Sequence, residues 1–433
     1  MQESELNKQQ AEAAEKILEW YNKEDDSLFV LSGYAGCGKS FLISYFVKNI
    51  IKLEPDEVAF CAPTGKAAVI LMKKGQPAST LHRLIYDAVE VESETIIDGE
   101  IIKSKKTVFK LKKSLPPYKL IVLDEVSMVS DKMLEDLLTY GIKVLASGDP
   151  AQIPAVSGEC TILEDPDFIL TEIVRQEADN PIIKIATMAR NGERIPFGNY
   201  GTVLVIPKEN LDRNRRKLLF TKADQVLCAL NRTRSIVNRE IREYLGIDPN
   251  QPLPDDGEKS ICISNNWGKI VGIYDNITIN LVNGMTGYCK NAKSGPDGVG
   301  KVDFQADFMP DFEEYYFDEK LFDKGEFGFE RTQEVFEMAD GSYYLKRKLK
   351  RSDFTSKDEY KSAVKEYASN LKNAVSEEPI CFFEPAHCIT VFKAQGSEWD
   401  SVVILDESNK FPNPEKILYT AITRAKRKVV IIR

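Results

Sequence analysis

Histidine is almost missing from these 433 residues, with only His82 and His387 present. The eight cysteines (Cys37, Cys61, Cys160, Cys228, Cys262, Cys289, Cys381, Cys388) are scattered, and none forms a CxxC pair. A zinc site needs clustered Cys or His, and a disulfide framework belongs to short secreted chains, so neither is expected. The cysteines are expected to be reduced and mostly structural. Long apolar runs are lacking as well: none approaches the roughly 18 residues of a membrane span. The opening stretch MQESELNKQQ has no apolar segment of the signal-peptide kind. These absences predict a soluble, cytoplasmic protein with no membrane partner. Basic excess is also lacking. Lys plus Arg total 58 against 67 Asp plus Glu, a net charge of -9, which taken alone argues against a polyanionic partner.

What is present is ordinary globular material, 43% hydrophobic and 29% charged, enough to bury several cores. Leu6, Ala13, Ala14, Ile17 and Leu18 share one face of a helix over 6–20. Short apolar strands follow at 28–31, 58–61, 120–123, 143–147, 225–230, 402–405 and 429–432, separated by helical patterns. That alternation predicts an α/β fold of parallel sheets with helices on both faces. The strands fall into two groups, so two α/β domains are expected. The first covers 1–86 and 116–175, the second 176–258 and 384–433.

Two segments interrupt the pattern. In 87–115, Asp98-Gly99 stands between SETII and EIIKS, the residue pair a two-residue hairpin turn prefers. A β-hairpin is expected there, followed by a basic run from Lys103 to Lys113. In 259–383, alternating strands punctuated by Asn-Gly and Asp-Gly suggest a small β insertion. Within it, 303–330 carry ten acids and nine aromatics against Lys320 and Lys324. The acid excess of the chain gathers here, and the aromatics predict a packed segment.

Gly33-Tyr-Ala-Gly36-Cys37-Gly38-Lys39-Ser40 fits G-x-x-x-x-G-K-[ST] between a strand and a helix. Such glycines let backbone N–H groups turn onto phosphate, and the following helix N-terminus adds its positive end. The expected nucleotide contacts are Gly33, Gly36, Cys37, Gly38, Lys39, Ser40 and Phe41. Lys39 would reach the β and γ phosphates, and the Ser40 hydroxyl would ligate magnesium. The strand 120–123 ends in Asp124-Glu125, a second metal ligand beside an acid that can orient or deprotonate water. ATP and Mg2+ are therefore the expected cofactors, with hydrolysis as the expected reaction. SGDPAQ closes the next strand, where Gln152 is either part of a turn or a γ-phosphate sensor.

In chain order the sequence then shows LNKQQAEA (6–13), GYAGCGKS (33–40), APTGKAA (62–68), STLHRLI (79–85), LDEVSMV (123–129), SGDPAQIPAV (147–156), LTEIVRQ (170–176), TVFKAQGSEWD (390–400) and LYTAITRAK (418–426). This ordered set resembles the superfamily 1B, RecD-like DNA helicases. The resemblance implies two RecA-like P-loop domains, with the hairpin as a strand-separating pin and the insertion as an SH3-like module. It implies that Gln10 reads adenine, Gln152 senses the γ-phosphate, and Arg175 and Arg424 reach that phosphate from the second domain. Glu398 matches a position near the ribose. Pro63, Thr64, Lys66, Thr80, His82, Thr390, Phe392 and Lys393 match positions along the DNA track. Phe392 departs from the family, which usually has histidine before the motif lysine, and no aromatic flanks Asp98-Gly99 to name as a wedge.

The activity so implied is ATP-driven translocation on single-stranded DNA, 5′→3′, with duplex unwinding. The implied partners are single-stranded and forked duplex DNA, together with replication or recombination proteins. A monomer acting in a bacterial or phage-infected cytoplasm is expected. Two further readings stay open on sequence: a motor without strand separation, either a translocase that strips proteins from DNA or a subunit of a larger nuclease-helicase, and a P-loop phosphotransferase. The acidic total is compatible with DNA because the footprint is local; Arg213, Arg215, Arg216 and Lys217 form a further basic patch.

Overall fold

A computed structural model describes residues 6–97, 100–154, 160–174, 179–274, 277–295, 298–319, 322, 335–337, 343–345, 354–369 and 379–433. Helix α1 (Lys8–Tyr21) starts at a reciprocal cap: Asn7 Oδ1 accepts from Gln10 N–H at 2.8 Å, and Gln10 Oε1 accepts from Asn7 N–H at 3.1 Å. Its buried face is Ala13, Ala14, Ile17 and Trp20, and the Trp20 ring lies 5.6 Å from that of Phe29 on the first strand. The helical period of the sequence has this contact as its cause.

The strands of the first half are β1 (Leu28–Gly33), β2 (Val58–Ala62), β3 (Ala78–Thr80), β6 (Leu120–Leu123), β7 (Lys143–Gly148) and β8 (Phe168–Leu170), with β4 (Tyr86–Ile97) and β5 (Glu100–Leu111) between β3 and β6. The six form one parallel sheet in the order β3-β2-β6-β7-β1-β8. Every residue of β2 and β6 is buried, as continuous apolar strands covered on both faces must be. A second six-stranded sheet runs Cys388–Thr390, Gln225–Cys228, Trp399–Leu405, Ala425–Ile432, Val203–Ile206, Gly198–Asn199, parallel but for the last pair. Both α/β sheets expected from the sequence are present. They lie in one compact unit, made of Met1–Ile85, Leu111–Arg234 and Cys388–Arg433.

The other compact unit consists of Tyr86–Lys110 and Ser235–His387. β4 and β5 pair as a two-stranded sheet; the turn residues Asp98 and Gly99 lie outside the described residues. The rest is an eight-stranded sheet and the antiparallel pair Asn266–Tyr274 with Ile277–Leu281. Phe304, Tyr315, Phe317 and Phe322 of the acidic, aromatic segment are buried, as its composition predicted; much of 323–353 lies outside the described residues.

A buried ion pair anchors this second unit. Arg242 Nε lies 2.9 Å from Glu258 Oε1, both side chains are almost fully buried, and Arg242 also donates to the carbonyls of Gln251 and Leu253. Removing one partner strands the other charge in the interior. Arg242→Ala is therefore expected to cost about 3–5 kcal/mol of stability, read from urea unfolding of the full chain.

Candidate functional site

Parallel register aligns the carboxyl ends of β1, β6 and β7, since Ser32 pairs with Gly148 and Leu123 with Ala146. The segments that leave those ends meet there, as ligand-binding loops do in open α/β sheets. After β1, Gly36 and Gly38 adopt φ of 80° and 76°, a left-handed backbone that favours glycine. A Cβ on Gly38 would also sit 2.5 Å from Gln10 Nε2, so α1 packs directly against the loop. Gln10 is buried and donates from Nε2 to Cys37 O at 3.2 Å. Lys39 Nζ donates to the carbonyls of Gly33 and Tyr34, which holds the ammonium within the loop.

After β6, Glu125 is one of the few non-glycine residues in the left-handed region, at φ 54° and ψ 41°. Such strain persists where the surroundings over-determine it, and it clusters at functional sites. Burial, and then the neighbouring Asp124, push the Glu125 carboxyl above the usual carboxylate range, while Arg424 and Lys39 pull it back. A raised carboxyl suits an acid that handles a proton from water. After β7, Asp149 is buried and accepts from Ala151 N–H at 3.0 Å and from Tyr419 O–H at 2.6 Å.

One cavity of about 1030 Å³ gathers these groups. That is room for a nucleoside triphosphate, at the upper end of the roughly 300–1,000 Å³ usual for ligand sites. Gln10, Gly36, Gly38, Lys39, Ser40, Phe41, Asp124, Glu125, Gln152, Glu398 and Arg424 line it. Cys37 is buried behind the loop, its thiol pushed up first of all by burial, and Gly33 ends β1 against Leu170. Arg175 lies outside the described residues. Arg424 reaches the cavity from the second sheet's side, its guanidinium donating to Thr420 O, Ser397 O and Thr423 Oγ1. Glu398 faces Lys426 at 3.6 Å.

The donor set fits magnesium. Ser40 and Asp124 offer a hydroxyl and a carboxylate, hard oxygens, in one cavity. Among the described residues no cluster of three or more His, Cys, Asp or Glu could hold a metal by itself. A cation sharing its ligands with phosphate oxygens and water needs no such cage.

The DNA-track candidates distribute over both halves of the unit. Thr64, Thr80 and Thr390 each follow or end a strand and accept one backbone N–H, from Ala67, Arg83 and Lys393 respectively. Pro63 precedes Thr64 at the end of β2. Lys66 holds its ammonium 5.2 Å above the Trp399 ring. His82 is half-buried, and burial lowers its imidazole below the ordinary histidine value. Phe392, in place of the family's histidine, packs on Phe411 with centroids 5.9 Å apart.

Sequence reading passed over Asp149, Tyr419, Asn180 and Lys426. Asp149 and Tyr419 stood inside quoted motifs, SGDPAQ and LYTAITRAK, but their pairing spans 270 positions. Asn180 and Lys426 carry no local signal and are found only because they line the cavity.

Fold and site together define a P-loop nucleotide-binding protein of two parallel α/β halves. Residues 5–201 match the AAA domain family and residues 385–432 the UvrD-like helicase C-terminal domain. In these matches the chain is similar to superfamily 1B helicases. It is 34% identical over 180 residues to the ATP-dependent RecD2 DNA helicase of Deinococcus radiodurans, covering 40% of this chain and 23% of that one. Over 439 residues it is 23% identical to the ATP-dependent DNA helicase Pif1 of Campylobacter jejuni, covering 95% of this chain and 88% of that one. A solved structure of Bacteroides Pif1 bound to ssDNA is 17% identical, with TM-score 0.49 and coverage of 99% and 92%. The chain spans about a third or less of the first curated relatives it matches. Among the described residues, no helix is long and apolar enough to cross a membrane.

Proposed function

We propose that the protein is an ATP-driven helicase that moves 5′→3′ on single-stranded DNA and separates the duplex ahead of it. One observation carries this reading: Lys39, Asp124, Glu125 and Gln152 of the first α/β half share a cavity with Arg424 of the second. In this mechanism Gln10 and the glycine loop bind the nucleotide, and Lys39 and Arg424 neutralise charge that develops on the transferred phosphoryl group. Glu125 orients the attacking water and takes its proton. Ser40 and Asp124 would hold magnesium, which when bound would neutralise phosphate charge. Because Arg424 belongs to the second half, hydrolysis and release change how the two halves hold together.

Thr64 and Thr80 on one half and Thr390 on the other grip the strand alternately. Each hydroxyl accepts a backbone N–H and keeps its own hydrogen to give to a phosphate. Pro63, Lys66, His82, Phe392 and Lys393 complete the track, the hairpin 87–115 acts as pin, and the SH3-like insertion closes over the strand. The chain works as a monomer on forked DNA.

The test is unwinding of paired duplexes bearing a 5′ or a 3′ single-stranded overhang, with and without ATP. Unwinding of the 5′-overhang substrate alone, and only with ATP, is expected. ATP hydrolysis indifferent to single-stranded DNA would return the phosphotransferase reading. Stimulated hydrolysis with neither substrate unwound would leave a translocase.

A further inference from the structure

The helix Pro414–Ile422 carries a buried tyrosine whose hydroxyl makes two hydrogen bonds into the first α/β half. Tyr419 Oη accepts from the Ala35 N–H of the glycine loop at 2.8 Å and donates to Asp149 Oδ2 at 2.6 Å. Tyr419 and Asp149 are each 1% exposed, so the bond between them is shielded from water. The next residue repeats the grip: Thr420 Oγ1 accepts from Ile153 N–H at 3.0 Å, and Gln395 Nε2 donates to Ile153 O at 2.6 Å. Gln152, between Asp149 and Ile153, is thus held on both sides by groups from the second half. Five residues after Tyr419, Arg424 faces the same cavity.

We propose that Tyr419 is a positioning residue, a strut that sets Arg424 and Gln152 in register with the glycine loop. The proposal deepens the helicase reading and rests on it. A strut through a single hydroxyl is suited to this because it touches three elements that hydrolysis must align: the loop through Ala35, the strand end through Asp149, and the arginine through its own helix. The hydroxyl must stay protonated to donate. Burial, and then the charge of Asp149, raise it far above the ordinary tyrosine value, so it does. Tyr419→Phe keeps the ring and removes both bonds, leaving a buried carboxylate short of a donor and a loop amide short of an acceptor.

Tyr419 lies outside the set that binds the nucleotide, so its loss is expected in turnover and not in affinity. For Tyr419→Phe in the full chain, kcat of single-stranded-DNA-stimulated ATP hydrolysis should fall about ten-fold or more while KM for ATP stays within about three-fold. Because a folding defect lowers the active fraction and so apparent kcat at unchanged KM, kcat is taken per active site, counted by titration with tightly bound nucleotide, and the thermal midpoint is measured beside it. Asp149→Ala removes the strut's acceptor, which asparagine would keep in its amide oxygen, and the double variant should lose little beyond the worse single variant, because the two changes break a shared bond. Should Tyr419→Phe not fold, Asp149→Ala carries the same expectation of lower kcat at held KM. Unchanged stimulated kcat in the variant that folds, a rise confined to KM, or full additivity would each overturn the strut. If the unaltered chain itself shows no stimulation by DNA, the helicase reading fails first and takes the strut with it.

Discussion

Lys39→Ala is expected to lower DNA-stimulated ATP hydrolysis by on the order of 10³-fold and to abolish unwinding, with the fold intact. In the structure the Lys39 ammonium hangs between the carbonyls of Gly33 and Tyr34, at the centre of the loop and on the cavity wall. Lys39 is the one cation in the loop sequence Gly33–Ser40, and its charge on the β and γ phosphates is the contribution the variant is expected to remove. Structurally the side chain contributes little: two hydrogen bonds to loop carbonyls, each about 1 kcal/mol net. Steady-state phosphate release with and without single-stranded DNA, beside a thermal melt, separates the two effects. Near-normal unwinding by the variant would remove the P-loop from the mechanism and the helicase reading with it.

How much of this was legible in the sequence depends on the range of the interaction concerned. The glycine loop, the β6 strand end and the β7 strand end are contiguous patterns, and the structure puts all three at one end of one parallel sheet. Strands of three residues were not legible. Ala78–Thr80, Phe168–Leu170 and Cys388–Thr390 are too short to show a period, and they become strands because the sheet edge offers hydrogen-bond partners. The helix that follows the glycine loop is α-helical over Lys39–Tyr45 and continues as a π turn, Phe46–Ile50, a change that periodicity does not register. Contacts across the unit were the least legible. Nothing near Phe392 announces Phe411, nothing near Lys66 announces Trp399, and the Tyr419 strut exists only because the ends of two neighbouring strands of the first sheet, β1 and β7, face one helix of the second half.

Charge shows the same division. Net charge predicted a weak attraction for DNA, yet it is a sum over segments that do different things. Phe304, Tyr315 and Phe317 of the acidic segment are buried in a β-sheet of the second unit. The threonines proposed to grip the strand are uncharged, and their hydroxyls are oriented by backbone caps. Binding of that kind gives positions for phosphates without demanding a basic chain.

Arg424→Ala is expected to lower kcat by about 10³-fold, the low end for removal of an arginine that stabilises phosphoryl-transfer charge. Its surroundings allow a structural alternative to be tested in the same experiment. Arg424 is 5% exposed and donates to Thr420 O, Ser397 O and Thr423 Oγ1, so it could merely fasten its own helix end. A lysine could do that fastening, because an ammonium also gives hydrogen bonds to carbonyls and carries the same charge. It could not spread charge over a planar fork that meets two phosphate oxygens at once. Arg424→Lys is therefore expected to recover the thermal midpoint lost in Arg424→Ala but to leave kcat within about ten-fold of the alanine variant. Recovery of both together would make Arg424 a fastening group, and would leave the γ-phosphate to Lys39 and the other groups proposed to reach it.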